Sequence, residues 1–195
     1  MKKLVSIIVA VFTAVISLSV TVFADAAYDY LNDYLTDRFE NYSSKISVID
    51  IGERFGLTMN DMYDLIEEVY YSHPEFYYVY NGYEYSELDG KIYYLDFDYI
   101  FKGSSHTAAQ KKFEEAAKKV TEGITEDMSD VEKALYVHDY LILNCAYDNS
   151  LKKYSAYNCL VDRTCVCQGY SLAYRYILFC LYFLYLSNEL FLEMI

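Results

Sequence analysis

Apolar residues recur with a helical period over the first stretch that follows residue 24. Between Asp25 and Tyr42 they return every three or four positions, which predicts a helix with one buried face. A second helix is predicted after Thr58, which forms a capping signal with Asp61. This helix should end before Pro74, because the residue that precedes a proline avoids the helical conformation.

The period then changes to the alternation expected of β-strands. Residues 76–80 are aromatic and β-branched, and Asn81-Gly82 is a turn signal that predicts a hairpin with its return strand at 83–87. Asp89-Gly90 is a second turn signal, and alternation over 91–101 predicts a further strand. These segments together predict a small antiparallel hairpin or sheet.

Helical spacing returns in the second half of the chain. Residues 107–123 predict one helix, and a capping box of Ser129 and Glu132 opens the next. The buried stripe predicted for that next helix consists of Val131, Leu135, His138, Leu141 or Ile142, and Cys145. We interpret His138 on this apolar face as a hydrogen-bonded core residue rather than as a ligand or base.

Two further segments complete the pattern. Residues 155–162 predict a short helical turn. The run from Tyr176 to Leu186 contains eleven uninterrupted apolar residues, which are too few to span a membrane. This run therefore predicts a buried core helix.

Residues 1–24 resemble a secretory signal peptide. Lys2 and Lys3 precede twenty uncharged residues, and Val22 and Ala24 are small enough for cleavage before Asp25. An uncleaved anchor is the alternative, because twenty uncharged residues could just span a bilayer. We expect a secreted protein that is extracellular or located in the cell envelope.

The charge of the chain narrows the choice of partners. There are 16 basic and 29 acidic residues, which give a formal net charge of −13. Such a chain should repel nucleic acid and anionic lipid, so neither is a predicted partner.

The 25 tyrosines could stack on sugar rings, but packing in strands and core is the favoured explanation.

The five cysteines all lie at or after residue 145, and the stretch TCVCQGYS at 164–171 contains two of them. A structural zinc site needs about four nitrogen or sulfur ligands, usually with a Cys-x2-Cys spacing that Cys165 and Cys167 do not have. Cys145 and Cys159 could complete a metal site, but nothing in the sequence requires one. A redox dithiol would also have two intervening residues.

Cys167 is a candidate nucleophile at a predicted helix start. The unpaired N–H groups and the positive end of the helix dipole favour the thiolate there, and the thiolate is the reactive form. The same N–H groups could form part of an oxyanion hole. Gly169 would let another backbone or a substrate approach closely. Cys165 precedes the helix, and Cys180 is interpreted as a buried thiol.

Four blocks between Ser129 and Leu178 resemble the transglutaminase-like superfamily of secreted bacterial proteins. In order they are EKALYVHDYL at 132–141, AYD at 146–148, SAYNCL at 155–160 and VCQGYS at 166–171. The resemblance implies an α+β fold with a papain-like core, in which Cys167 heads a central helix. As the nucleophile, Cys167 would take an acyl group from a glutamine side chain or a peptide bond as a thioester.

The resemblance also implies a protein or peptide substrate, no metal ion and no organic cofactor. Both acyl transferase and protease activities are compatible with it, and association with the cell envelope is a further expectation. His138 matches the helical His-Asp-Tyr block of the family, which does not contain the catalytic histidine.

The resemblance ends near Ile177. The catalytic histidine and aspartate of the family lie on strands downstream of the cysteine helix, but here no histidine follows His138 and there is no tryptophan. We therefore expect a truncated, inactive fragment in which the face formed by residues 176–186 is exposed and solubility is poor. The alternative is a non-catalytic cell-envelope binding module for glycan or protein.

The predicted organisation has three parts. A signal peptide covers 1–24, and a region of N-terminal helices with a small antiparallel hairpin or sheet covers 25–124. An incomplete transglutaminase-like core covers 125–195.

Overall fold

The computed structural model describes residues 25–192 of the chain, and the side chains of residues 25–182. The predicted signal peptide at 1–24 lies outside the described residues.

The fold is mixed α+β, as predicted. The elements, in chain order, are α1 at 25–40, β1 Lys45–Ser47, α2 Ile49–Phe55, α3 Met59–Ser72, a 3-10 helix Pro74–Tyr78, β2 Val79–Leu88, β3 Lys91–Tyr99, α4 Ser104–Thr121, α5 Asp130–Asn144, β4 Ala146–Tyr147, α6 Ala156–Leu160, β5 Thr164–Cys165 and α7 Cys167–Leu192.

The described residues divide into two compact units. The first contains residues 25–70 and Tyr83–Phe97, and the second contains Tyr71–Gly82 and residues 98–192. The domain division expected at residue 125 stays a prediction.

The first unit packs helices α1 and α3 with a small sheet. Its three strands follow the order β1-β3-β2, and β1 is antiparallel to β3 with Ile46 opposite Leu95. Both predicted helices are confirmed, and their buried faces have the expected spacing. The residues that form these faces are Ala27, Leu31, Leu35 and Phe39 in α1, and Met62, Ile66 and Val69 in α3.

The prediction of a turn at Asn81-Gly82 is wrong, because both residues lie inside β2. The strand continues through them since the ring of Tyr83 packs on that of Phe97, with centroids 5.2 Å apart. The hairpin turns at the second signal instead. Asp89 and Gly90 have φ values of 52° and 73°, which are the positive angles that a two-residue hairpin turn requires.

The second unit is built around α4, α6 and α7. The five buried residues predicted for α4 are confirmed, and they are Ala109, Phe113, Ala116, Ala117 and Val120. The ring of Phe113 lies 4.6 Å from that of Tyr176 on α7, centroid to centroid. The short turn predicted at 155–162 is confirmed as α6, and it packs against α7.

Helix α5 has the predicted start but a different buried face. The capping box is confirmed, because the Ser129 hydroxyl accepts from the Glu132 N–H at 3.3 Å and the Glu132 carboxylate accepts from the Ser129 N–H at 2.7 Å. Val137 and Leu141 are the buried residues inside the helix, and Cys145 is buried at its end. Val131 and Leu135 are exposed rather than buried as predicted, and of the two alternatives Leu141 and Ile142 it is Leu141 that is buried.

Over residues 176–182, the part of its apolar run whose side chains the structure describes, helix α7 buries one side rather than every side. Ile177 is fully buried, but Phe179 and Tyr182 are 59% and 61% exposed, so the expected burial is wrong for these two rings. Among the described residues, no helix combines the length and apolar character that crossing a membrane requires.

Candidate thiol site at the start of α7

Cys167 is the first residue of α7, as the sequence predicts, and its side chain is exposed. The other cysteines differ from it in burial. Cys145, Cys159 and Cys165 are buried, and Cys180 has intermediate exposure rather than the full burial expected. A substrate carbonyl could therefore approach the Cys167 thiol, and the helix start places unpaired N–H groups beside it.

Hydrogen bonds on both sides hold the chain immediately before Cys167. Strand β5 pairs in parallel with β4, and the Asp148 N–H donates to the Cys165 carbonyl at 3.0 Å. On the other side, the Val166 N–H donates to the Lys153 carbonyl at 2.9 Å. These bonds fix the backbone that leads into the helix.

The Asp148 carboxylate organises the loop that provides the Lys153 carbonyl. It accepts hydrogen bonds from the Ser150 hydroxyl at 2.7 Å, and from the Lys152 and Lys153 N–H groups at 2.8 and 3.0 Å. These donors stabilise the ionised carboxylate and lower the pKa of Asp148 to about 2. Asp148 thus helps to fix the backbone that leads into Cys167.

Gly169 is required by close packing in the first turn of α7. A Cβ atom at this position would lie 2.6 Å from the Cys165 Cβ and 3.0 Å from the Ser155 carbonyl oxygen. The predicted close approach at Gly169 is confirmed, and the approaching groups belong to the protein itself. Ser155 is in turn the N-cap of α6, where its hydroxyl accepts from the Asn158 N–H at 3.2 Å.

Among the described side chains, the Cys167 thiol has no hydrogen bond to the partners expected of a catalytic thiol. Within residues 25–182, no histidine or carboxylate side chain forms a hydrogen bond with the Cys167 thiol. The neighbouring polar contacts are structural. The Ser171 hydroxyl donates to the Cys167 carbonyl at 3.1 Å, and the Gln168 amide donates to Asn81 at 3.3 Å.

His138 is exposed, so its predicted place in the core is wrong. Its Nδ1 lies 2.9 Å from an oxygen of Asp139. The imidazole also lines a cavity of about 320 Å³ together with Leu141 and Ile142 of α5 and the second turn of α7. The face of α5 that carries His138 is rotated away from the core, which is formed by Val137 and Leu141.

The sequence leaves open a metal site that Cys145 and Cys159 could complete, and the structure brings both cysteines together with Cys165. The sulfur atoms of Cys145, Cys159 and Cys165 all lie within 4.8 Å of one another, and we call this group the three-thiol cluster. Burial raises the pKa of Cys145, and hydrogen bonding with Cys159 together with burial raises that of Cys165. The sequence gives no spacing signal for the cluster, because the parallel β4–β5 pair brings Cys145 and Cys165 together.

The fold and the site define a mixed α+β protein with an exposed thiol at the start of a long helix. No family model matches the chain, and no curated protein is similar enough to count as a relative. The resemblance to transglutaminase-like proteins therefore stays a prediction.

Proposed function

We propose that this chain is the nucleophile-bearing part of a secreted transglutaminase-like thiol enzyme, with a protein or peptide as its substrate. The observation that carries the proposal is the position of Cys167. Its thiol is exposed at the first residue of α7, whereas three of the other four cysteines are buried. A thiol that served only to fill the core would be buried as they are.

The chemistry is acyl transfer. The Cys167 sulfur attacks the carbonyl carbon of a glutamine side chain or peptide bond, the carbon–nitrogen bond breaks, and the nitrogen leaves with a proton as ammonia or an amine. The N–H groups of the first turn of α7 would stabilise the oxyanion. Water or an amine then releases the acyl group from the thioester and restores the thiol.

The supporting elements also favour this proposal. Two of the blocks that resemble the family meet in the first turn of α7, where Gly169 packs against the Ser155 carbonyl, and Asp148 of a third block donates its N–H to the Cys165 carbonyl just before the helix. Positioning a nucleophile requires such rigidity, because small displacements of a reacting group cost large factors in rate. A helix start with no chemical role would not need it.

The proposal includes low activity for the chain as its sequence stands. No histidine follows His138 in the sequence, and a thiol without a base lacks both its proton acceptor and the acid for the leaving nitrogen. We expect Cys167 to be acylated or alkylated by reactive compounds, with slow turnover of ordinary amides.

Labelling of the full chain tests the nucleophile. The probe is a peptide in which a haloketone replaces the side-chain amide of glutamine, and peptide mass spectrometry locates the label. We expect modification at Cys167, no modification in Cys167→Ala, and the parent rate in the matched control Cys180→Ala. Equal labelling of Cys180 and Cys167, or a Cys167 rate no higher than that of a free thiol in a short peptide, would contradict the proposal.

The coding DNA tests the missing base. It is read in all three frames beyond the codon for Ile195. A block with histidine beside an aromatic residue, followed by an aspartate block, would support a thiol enzyme whose remaining residues are encoded there. Their absence would favour the second candidate function.

The second candidate is a non-catalytic module that binds glycan or protein in the cell envelope. The observation that favours it is the exposure of tyrosines on the hairpin strands, with Tyr80 56% and Tyr85 45% exposed. Exposed aromatic rings can stack on sugars. Binding of the chain to purified cell-wall glycan, and its loss in Tyr85→Ala, would support this function; equal binding by the variant would exclude a role for that ring.

A further inference from the structure

The three-thiol cluster has the composition of a site for a soft metal ion. Cys159 and Cys165 are 1% and 0% exposed and Cys145 is 8% exposed, so all three sulfurs face one another inside the second unit. The sulfurs of Cys145 and Cys165 are 3.5 Å apart. Thiolates bind soft ions such as Cu(I) in preference to hard ions such as Mg²⁺ or Ca²⁺.

We propose that Cys145, Cys159 and Cys165 bind one Cu(I) ion in a three-thiolate site. Three sulfurs placed around one ion in a plane at metal–sulfur distances of about 2.3 Å lie about 4.0 Å apart. The Cys145–Cys165 separation is 3.5 Å and no sulfur separation exceeds 4.8 Å, so the cluster is close to that size. Side-chain adjustments of less than about an ångström would therefore close the site.

The number of ligands favours Cu(I) over zinc. A structural zinc site is almost always four-coordinate, and a three-ligand zinc site keeps an open position for water. Within the described residues, the cluster contains three cysteines and no histidine or carboxylate. Its burial also leaves little access for a water ligand.

The binding step is a replacement of protons by the ion. Three thiols release three protons to solvent, three sulfur–metal bonds form, and the copper stays in the +1 state throughout. A thiol or chelator that carries Cu(I) supplies the ion. Cys145 is the most exposed of the three and marks the side from which the ion would enter.

A Cu(I) ion bound to the three-thiol cluster would link three segments of the chain next to the candidate nucleophile. Cys145 is the C-cap of α5, Cys159 lies in α6, and Cys165 is the last residue of β5, two positions before Cys167. An ion that binds only the folded state stabilises it by mass action. Bound Cu(I) should therefore raise the melting temperature of the chain.

The test is a Cu(I) titration of the full, reduced chain without oxygen, in competition with the coloured chelator bicinchoninate. We expect one equivalent of Cu(I) to be removed from the chelator, and a higher melting temperature with Cu(I) than without it. Loss of a supporting residue weakens metal sites by about ten- to a hundredfold, so loss of a ligand in Cys159→Ala should cost at least about a hundredfold.

Matched variants separate this site from the proposed thiol chemistry. Cys167→Ala and Cys180→Ala should bind Cu(I) as the parent does, so the two proposals can fail independently. Equal retention of Cu(I) by Cys159→Ala and the parent would overturn the metal site. If Cys159→Ala does not fold, an unchanged melting temperature of the parent with Cu(I) would overturn it.

Discussion

Asp148 shows how one side chain can fix the backbone ahead of the candidate nucleophile Cys167. It is only 7% exposed, and its carboxylate accepts hydrogen bonds from three of the next five residues, Ser150, Lys152 and Lys153. A carboxylate that accepts several N–H bonds is stabilised in its charged form, and so is the loop that supplies the bonds. The Lys153 carbonyl, which holds Val166, depends on this loop.

Replacement of Asp148 by asparagine should destabilise the chain in a pH-dependent manner. Because folding lowers the pKa of Asp148 from 3.8 to about 2, its contribution to stability is present above pH 3.8 and is lost as the pH falls through about 2. The urea midpoint of Asp148→Asn should therefore lie below that of the parent at pH 7, and the two should converge near pH 2. The exposed Asp98→Asn is the control, and equal midpoints for Asp148→Asn and parent at pH 7 would contradict the argument.

The candidate nucleophile could be predicted from the sequence, but the three-thiol cluster could not. Cys167 follows a recognisable irregular segment and precedes a long apolar run, so the helix start is visible in the local pattern. The approach of Cys145 to Cys165 depends on β4 and β5, which have two residues each. Strands this short show no alternation from which a pairing could be inferred.

At the scale of elements, the junction of α6, β5 and α7 leaves no space at Gly169. Gly169→Ala gains helix propensity of about 1 kcal/mol but places a methyl group 2.6 Å from the Cys165 Cβ. Overpacking of this kind costs about 1–3 kcal/mol, so we expect the free energy of unfolding in urea to fall.

Gly52→Ala in α2 is the matched control for Gly169→Ala. Its new Cβ would meet only the Met62 methyl at 3.6 Å, which is an ordinary contact. This variant should be neutral, or more stable than the parent by up to about 1 kcal/mol. Equal changes in the free energy of unfolding for the two substitutions would show that the close packing at Gly169 does not affect stability.

Helix α5 provides a test of which face is buried. Leu141 is 3% exposed and Leu143 is 80% exposed, although they are only two residues apart. Leu141→Ala should lower the free energy of unfolding by about 2–5 kcal/mol, whereas Leu143→Ala should change it by less than about 0.5 kcal/mol. Urea denaturation measures both, and a larger effect at Leu143 would mean that the helix is rotated in solution.

The buried face of α5 was predicted correctly only at Leu141 and Cys145, and the errors at the other positions have a physical reason. The stripe through Val131, Leu135 and His138 and the observed face at Val137 and Leu141 both satisfy helical spacing, and they differ by a rotation of about 100°. Periodicity predicts that a helix is present and that it has two apolar faces, but only tertiary packing against α7 determines which face is buried.

The hairpin at Asp89-Gly90 was predictable because its turn chemistry is local, whereas the continuation of β2 through Asn81-Gly82 depends on packing of Tyr83.

At the scale of the whole molecule, charge and exposed apolar surface oppose each other. The chain has a formal net charge of −13 at pH 7, which favours solubility through repulsion. The second unit also exposes large apolar side chains, among them Leu135, Leu143, Phe179 and Tyr182. Charge repulsion between molecules must therefore prevent these exposed apolar side chains from associating, and we expect association when the net charge is lost.

Self-association should consequently be strongest near pH 4.5, where the net charge of the sequence vanishes. Light scattering across the pH range should show a maximum there, and scattering at pH 7 should rise when salt shortens the screening length to about 10 Å at 0.1 M. The double variant Leu135→Gln, Leu143→Gln should scatter less than the parent at pH 4.5 with unchanged urea stability, because both side chains are exposed. Equal scattering by variant and parent would instead assign the association to loss of charge alone, without a contribution from the apolar face of α5.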